Sequence, residues 1–184
     1  MPATMVRPWR VERGAIDPRD VLKASNGAVA LRDMVDTLEF AKWQDPIDEG
    51  WSEHKLSVVR VNPDAITTRQ DPTHLFAGLL AVRRAAEEAL GYHIEDFFLN
   101  YYDHGSRTNK HRDGLAPFTF AVGLSGIGEA ELEVPGAYNP VTLHLHKGDA
   151  LIFNNTLPEA QRPLHTVRNA GRDTRIAWVS GTLS

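Results

Sequence analysis

The residues after Gly91 fall into seven short β-rich runs, and this pattern limits the fold more than any other feature of the chain. Branched aliphatic residues, threonine and aromatic residues are concentrated in the runs, whereas glycine, proline and asparagine separate them. The predicted strands are Phe97–Tyr102, Phe118–Leu124, Ala130–Val134, Val141–Leu145, Ala150–Phe153, Leu164–Val167 and Arg175–Ser180. Seven short strands within about ninety residues predict a β-sandwich or barrel rather than alternating βαβ units.

Helical signals dominate the first half of the chain. One helix is predicted with Asp71 as its N-cap, Pro72 at its first position and Gly91 as its stop. Its apolar stripe consists of Leu75, Leu79, Val82, Ala86 and Leu90. A second helix is expected over about Arg32 to Trp43, and a short strand over Leu56 to Val61.

The length and composition favour one domain over residues 1–184. The chain is 42% hydrophobic, which is enough apolar material for a substantial core. We expect residues 1–96 to form a helical support region that packs on one sheet, and residues 97–184 to form the β-rich core.

The absence of cysteine limits the chemistry. It excludes disulfides, thiolate zinc sites, iron–sulfur clusters and a cysteine nucleophile, so any metal must bind to His, Asp or Glu. The net charge of −4 and the pI of about 6.0 provide no global basic field, which disfavours nucleic acid and anionic membranes as partners. No stretch resembles a signal peptide or the ~18 apolar residues of a membrane span, and a cytoplasmic location is expected.

Three side chains form a candidate metal site. Alternation in a strand places residues two apart on one face, so His111 and Asp113 can reach the same ion. His165, in another short strand, could supply a third ligand. Two histidines and one carboxylate form the facial triad of non-haem iron, although zinc also accepts this ligand set.

Arg175 distinguishes between these metal chemistries. It lies ten residues after His165, at the start of a strand, where its planar guanidinium could bind the carboxylate of a dicarboxylic acid. Arg172 is close enough to compete, but it follows Gly171 in an evident turn, so Arg175 is preferred. Tyr101 or Tyr102 could donate a second hydrogen bond to that carboxylate.

The ordered motifs resemble those of a known family. The run Tyr101-Tyr102-Asp103-His104-Gly105 followed by His111-Arg112-Asp113 is similar to the N-terminal signature of the prolyl-hydroxylase-like branch of the iron(II)- and 2-oxoglutarate-dependent dioxygenases. The segments Gly123–Ser125, Glu131–Val134 and Gly148–Phe153 resemble the family's following strands, and His165-Thr166-Val167 with Arg175 completes the pattern. The resemblance covers roughly residues 97–180.

The resemblance implies a double-stranded β-helix of the jelly-roll or cupin-like kind, with N-terminal helices packed on one sheet. It also implies that His111, Asp113 and His165 hold Fe(II), that Arg175 binds the far carboxylate of 2-oxoglutarate, and that O₂ is the oxidant. Decarboxylation of 2-oxoglutarate to succinate and CO₂ would then drive oxidation of a C–H bond. Asp113 favours hydroxylation or desaturation, because the halogenating relatives lack the carboxylate ligand.

Some features leave the site open. Many relatives carry serine or threonine two residues after the arginine, where this chain has Ala177. The turn at His104-Gly105 interrupts the alternation, so the inward-facing tyrosine is undecided. The pair His144 and His146 could imitate a cupin-type metal clamp, but polar neighbours on their face favour an outward position.

A basic cluster lies beside the candidate ligands. Arg107, Lys110 and Arg112 could meet an anionic substrate, although basic residues on a solvated strand edge are more common. The expected reaction is hydroxylation of a small molecule, an amino acid or a peptidyl side chain. Two alternatives are a cupin-like metalloenzyme of other chemistry and a non-catalytic β-barrel binding module.

Overall fold

Ten strands and two α-helices make up the described part of the chain. The computed structural model describes residues 7–33, 40–41, 56–64, 76–114 and 116–184. The elements in chain order are β1 (Trp9–Glu12), α1 (Pro18–Asp33), β2 (Phe40–Ala41), β3 (Leu56–Val61), α2 (Ala77–Leu90), β4 (Phe97–Tyr102), β5 (Phe118–Ser125), β6 (Gly128–Glu133), β7 (Val141–Leu145), β8 (Ala150–Asn154), β9 (Leu164–Asn169) and β10 (Arg175–Ser180). A short 3₁₀ helix, Glu159–Gln161, precedes β9.

The strands form two antiparallel sheets. The larger sheet has the order β1-β8-β5-β10-β4-β3-β2, and the smaller sheet has the order β7-β6-β9. One apolar cluster joins the sheets, and it includes Leu132 and Leu145 of the small sheet together with Leu151 and Phe153 of the large one. This mostly β arrangement is the double-stranded β-helix expected from the sequence.

The helices cover the other face of the large sheet. Leu79, Val82 and Ala86 of α2 are fully buried in a cluster that also contains side chains of α1 and of the large sheet. The helices pack closely at Gly78, because a Cβ there would lie 2.3 to 2.6 Å from atoms of Lys23 and Ala24. The two helices therefore support one sheet, as expected.

Gly91 ends α2 in the way the sequence predicted. Its φ of 74° is in the left-handed region, and its N–H donates to the carbonyl of Glu87 at 2.8 Å. Glycine adopts this conformation without steric cost and so satisfies a carbonyl at the helix end. No helix within the described residues has the length and apolar character needed to cross a lipid bilayer.

The predictions after Gly91 are confirmed with small shifts of strand ends, and the strand over 56–61 is also confirmed. The prediction of a helix over 32–43 is wrong at Phe40–Ala41, which pair with β3 as a strand. Residues 34–39 and 42–43 of that prediction, like the predicted start of the other helix at 71–75, lie outside the described residues. Helix α1 and strand β1 were not predicted, so the first half contributes strands as well as helices.

Candidate metal centre

Two segments that are far apart in the sequence meet at one backbone bridge. The N–H of His111 donates to the carbonyl of His165 at 2.9 Å, and the N–H of His165 donates to the carbonyl of His111 at 2.8 Å. A reciprocal antiparallel pair of this kind sets two residues directly opposite each other. The two imidazole rings consequently lie side by side, with centroids 4.3 Å apart.

Asp113 completes the cluster. Its Oδ1 lies 3.2 Å from Nε2 of His111 and 3.7 Å from Nε2 of His165. The candidate ligand atoms of the three residues all lie within 4.8 Å of one another. Donors that are each about 2 Å from an ion lie roughly 3 to 4 Å apart, and the distances from Oδ1 of Asp113 to the two Nε2 atoms fit this spacing.

Backbone carbonyls fix the tautomers of both histidines. Nδ1 of His111 donates to the carbonyl of Asn109 at 2.6 Å, and Nδ1 of His165 donates to the carbonyl of Pro163 at 3.3 Å. In a neutral imidazole this leaves the Nε2 lone pair free, and in both rings Nε2 points to Asp113. The rings are thereby oriented as metal ligands before any metal arrives.

The electrostatics favour a neutral His165 beside a charged carboxylate. Burial lowers the pKa of His165 to about 4, although the charge of Asp113 opposes this shift. Burial raises the pKa of Asp113, but the hydrogen bond from His111 and the charges of both histidines bring it below its ordinary value overall. Burial lowers the pKa of His111, whereas its hydrogen bond to Asp113 raises it, with a net increase. A cation at the centre would replace the proton that His111 and Asp113 share.

The prediction that His111 and Asp113 lie in a strand is wrong. Residues 103–117 between β4 and β5 do not form a regular strand in their described part, and His111 has only the isolated bridge to His165. The two side chains converge through this bridge and the loop that follows it. The predicted position of His165 in a strand, β9, is confirmed.

Two residues that the sequence did not indicate hold the ligands in place. The ring of Phe153 stacks on the ring of His165, with centroids 4.1 Å apart and an interplanar angle of 19°. Arg162 connects two loops, because its Nε donates to the carbonyl of Leu157 at 2.7 Å and its Nη1 to the carbonyl of Asp113 at 3.3 Å. Arg162 and Asp113 are 49 residues apart, so no local pattern could reveal the contact.

Arg175 lies in the same cavity as the three candidate ligands. The cavity is about 80 Å³ and is lined by His111, Asp113, His165, Tyr102 and Arg175, among others. The arginine is 3% exposed, and burial lowers the pKa of its guanidinium. Within the described part of the chain, its Nε and Nη1 have no hydrogen-bond partner. A buried cation in this state is costly unless an anionic ligand joins it.

The structure separates the two tyrosines. The hydroxyl of Tyr101 donates to the carbonyl of Ala28 in α1 at 2.6 Å, within the core between sheet and helices. Of the two tyrosines left open by the sequence, Tyr101 therefore lies outside the cavity that contains Arg175. Tyr102, on the opposite face of β4, lines the cavity, and Cζ of Arg175 lies 4.8 Å from its ring centroid.

The cavity is not lined by Arg172, His104, His144 or His146. Arg172 is exposed, which supports the preference for Arg175, whereas Ala177 does line the cavity. The outward position predicted for His144 and His146 is confirmed, with side chains 62% and 67% exposed. His104 is an exposed loop residue whose Nδ1 donates to the carbonyl of Gly171 at 2.9 Å.

Solved structures of the same fold include prolyl hydroxylases and an α-ketoglutarate-dependent epimerase. A prolyl hydroxylase from Trichoplax adhaerens, in complex with a hypoxia inducible factor peptide fragment, aligns with a TM-score of 0.71 and 12% identity over 95% of this chain and 82% of that one. A Pseudomonas putida prolyl-4-hydroxylase aligns with a TM-score of 0.56 and 15% identity over 95% and 91%. The non-haem α-ketoglutarate-dependent epimerase SnoN of nogalamycin biosynthesis aligns with a TM-score of 0.60 and 15% identity over 95% and 75%.

No protein-family model and no curated protein matches the sequence. At identities of 12 to 15%, the structural likeness is one of fold. The resemblance that the motifs indicated is confirmed at this level, and the fold is that of the 2-oxoglutarate-dependent iron(II) oxygenases, including their prolyl hydroxylases.

Proposed function

We propose that this protein is an Fe(II)- and 2-oxoglutarate-dependent oxygenase that hydroxylates a small molecule, an amino acid or a peptidyl side chain. His111, Asp113 and His165 would hold the iron. Two neutral imidazoles and one carboxylate suit Fe(II), and three protein ligands leave positions on the ion for a cosubstrate and for O₂. When bound, the iron and its cosubstrate supply the oxidising chemistry, with release of succinate and CO₂.

The observation that carries the proposal is the state of Arg175. It is a buried guanidinium with two unpaired nitrogen atoms among the described residues, in the cavity that also contains the three candidate ligands. A hydrolase that used the same ligands to activate water would have no need of a buried cation there. A dicarboxylate that reaches from the metal to Arg175 satisfies both ends of the cavity.

The side chains around Arg175 suit the same ligand. The phenol of Tyr102 lies beside the guanidinium and can donate a hydrogen bond to the far carboxylate. Ala177 adds no hydroxyl, so in this chain Arg175 and Tyr102 carry the recognition of that carboxylate. The burial of Arg175 places this contact in a medium of lower dielectric constant than water, which strengthens it.

Anaerobic titration tests the proposal. Addition of 2-oxoglutarate to the protein with Fe(II) is expected to produce the weak visible charge-transfer band of a chelated complex, and aerobic turnover is expected to form succinate. His111→Ala should abolish the band, whereas His144→Ala, which removes an exposed histidine, should retain it. A full-strength band in His111→Ala would contradict the ligand assignment.

A second pair of variants tests the anchor. Arg175→Ala should weaken 2-oxoglutarate binding much more than Fe(II) binding, while Arg172→Ala should change neither. Equal loss of both affinities in Arg175→Ala would contradict the assigned role. Activity with zinc or manganese in the absence of 2-oxoglutarate would instead favour a cupin-like metalloenzyme of other chemistry.

A further inference from the structure

A second cavity also reaches two of the candidate ligands, His111 and Asp113. It has a volume of about 440 Å³ and shares His111, Asp113, Thr119 and Val179 with the cavity that contains Arg175. We call it the outer cleft. The residues of the outer cleft used below are Arg60, Asp96, Phe98, Arg112 and Val179. Its volume is within the range of about 300 to 1,000 Å³ that is typical of small-molecule sites.

The register of β4 and β10 separates a polar pair of side chains from an apolar pair. Tyr102 is opposite Arg175 at one end of this strand pair, and Phe98 is opposite Val179 four residues away. Residues two apart share a face, so all four side chains lie on the cavity side of the sheet. A rise of about 3.3 Å per residue separates the polar pair from the apolar pair by roughly 13 Å along the strands.

The apolar pair forms the floor of the outer cleft. Phe98 and Val179 are only partly buried, which leaves apolar surface available to a ligand. Arg60 continues the same row, opposite Phe98 on β3, and Asp96 neutralises it through an ion pair in which Nε of Arg60 donates at 2.6 Å. This end of the outer cleft therefore presents apolar surface beside a neutral pair.

Arg112 supplies the remaining charge. Within the described residues its one polar contact is the donation from Nε to the carbonyl of Arg162 at 3.2 Å, and it forms no ion pair there. Lys110, two positions earlier, is already paired with Glu131 and Glu133. Of the basic cluster beside the ligands, Arg112 is the member that lines the outer cleft.

We propose that the substrate is an amphipathic carboxylate of small-molecule size. Its apolar body would rest on Phe98 and Val179, its carboxylate would pair with Arg112, and the C–H bond to be oxidised would lie beside His111 and Asp113. Arg112 is exposed and has no ion-pair partner among the residues that the structure describes, so it can pair with one singly charged head group. This inference rests on the proposed oxygenase function and specifies its substrate class.

Matched acids and amides test the charge requirement. The protein with Fe(II) and saturating 2-oxoglutarate is titrated anaerobically with hexanoate, hexanamide, 3-phenylpropanoate and 3-phenylpropanamide, and the shift of the charge-transfer band is followed. Each acid should bind at least about tenfold more tightly than its amide, since a charge-assisted hydrogen bond is stronger than a neutral one. Saturating 2-oxoglutarate keeps the acids away from Arg175.

Variants of Arg112 assign the preference to this residue. Arg112→Ala should remove the difference between acid and amide, and Arg112→Lys should restore part of it. Arg84→Ala, on the exposed face of α2, is the control and should behave as the unaltered protein. A thermal melt confirms that each variant is folded.

The outcomes separate the two proposals. If the band never forms with Fe(II) and 2-oxoglutarate, the proposed function fails, and the substrate class fails with it. If the band forms but the acids do not shift it, or the amides bind equally well, only the substrate class is overturned. A preference for acids that persists in Arg112→Ala overturns it as well.

Discussion

Gly128 offers a test of the cosubstrate site that leaves every proposed ligand and anchor in the sequence. A Cβ at position 128 would lie 2.5 Å from Nε of Arg175 and 2.7 Å from Cζ and Nη2. Non-bonded atoms normally approach to about 3.5 Å, so the guanidinium in Gly128→Ala must move by roughly 1 Å. Arg175 is 3% exposed and has the Tyr102 ring beside it, so its guanidinium cannot simply move out into solvent.

The displacement should act on 2-oxoglutarate rather than on iron. A hydrogen bond to a charged group contributes about 1.5 to 3 kcal/mol, and its loss lowers the affinity for 2-oxoglutarate roughly 10- to 100-fold. Overpacking adds a destabilisation of about 1 to 3 kcal/mol. The backbone conformation at position 128 does not require glycine, since the φ of Gly128 is not positive.

Titration of the charge-transfer band with 2-oxoglutarate, at saturating Fe(II), measures this effect. Gly171→Ala is the matched control, because its Cβ would meet atoms no closer than 3.6 Å, an ordinary contact. Fe(II) affinity should stay close to that of the unaltered protein in both variants. If Gly128→Ala is folded and binds 2-oxoglutarate with full affinity, Arg175 is not the anchor of the cosubstrate.

Three further predictions concern the pH dependence of metal binding, the contact of Arg162 with Asp113 and the stability of the fold. Metal affinity should rise about tenfold per pH unit and level off above pH 6.5, because the raised pKa of His111 means that one proton must leave before a metal binds. The metal-free protein should correspondingly lose stability as the pH rises through that pKa. A flat profile of metal affinity between pH 5.5 and 8 would contradict this prediction. Arg162→Ala should weaken Fe(II) binding roughly tenfold by releasing the carbonyl of Asp113, measured by competition with a chelator, and unchanged affinity would show that the contact is dispensable. Asp149→Ala should lower the free energy of unfolding by roughly 2 to 4 kcal/mol in urea titration, because the carboxylate accepts the backbone N–H groups of Gly14 and His146, each at 3.0 Å; a loss below about 0.5 kcal/mol would refute the role.

The strands of the second half could be predicted because each is a short apolar run between turn residues. The first half misled for physical reasons. Phe40 and Ala41 continue a helical spacing in the sequence, but backbone pairing with β3 makes them a strand. Helix α1 was missed because its buried face includes Ala24, Gly27 and Ala28, which give a weak apolar signal. Asp17 and Pro18, an N-cap residue followed by proline, were the available sign of its start.

At the site, residue types could be predicted and orientations could not. The spacing of His111 and Asp113, with His165 far along the chain, indicated a shared ion because few other arrangements bring these donors together. The choice between Tyr101 and Tyr102 depends on which face of β4 meets the helices, and that is decided by packing against α1. The support from Arg162 depends on two loops that only the folded chain brings together.

In the proposed enzyme, the pairing of β4 with β10 separates the binding places of the two proposed ligands along one surface. Arg175 and Tyr102 lie at one end of the pair, and Val179 and Phe98 lie at the other, roughly 13 Å away at about 3.3 Å per residue. Contacts more than about 7 to 10 Å apart, without shared partners, contribute almost independently to binding and stability. Substitutions at Phe98, which lines only the outer cleft, can therefore change which apolar body fits, while Arg175 keeps its buried position. If the proposed function is correct, substrate choice can vary on this sheet without loss of the proposed cosubstrate site.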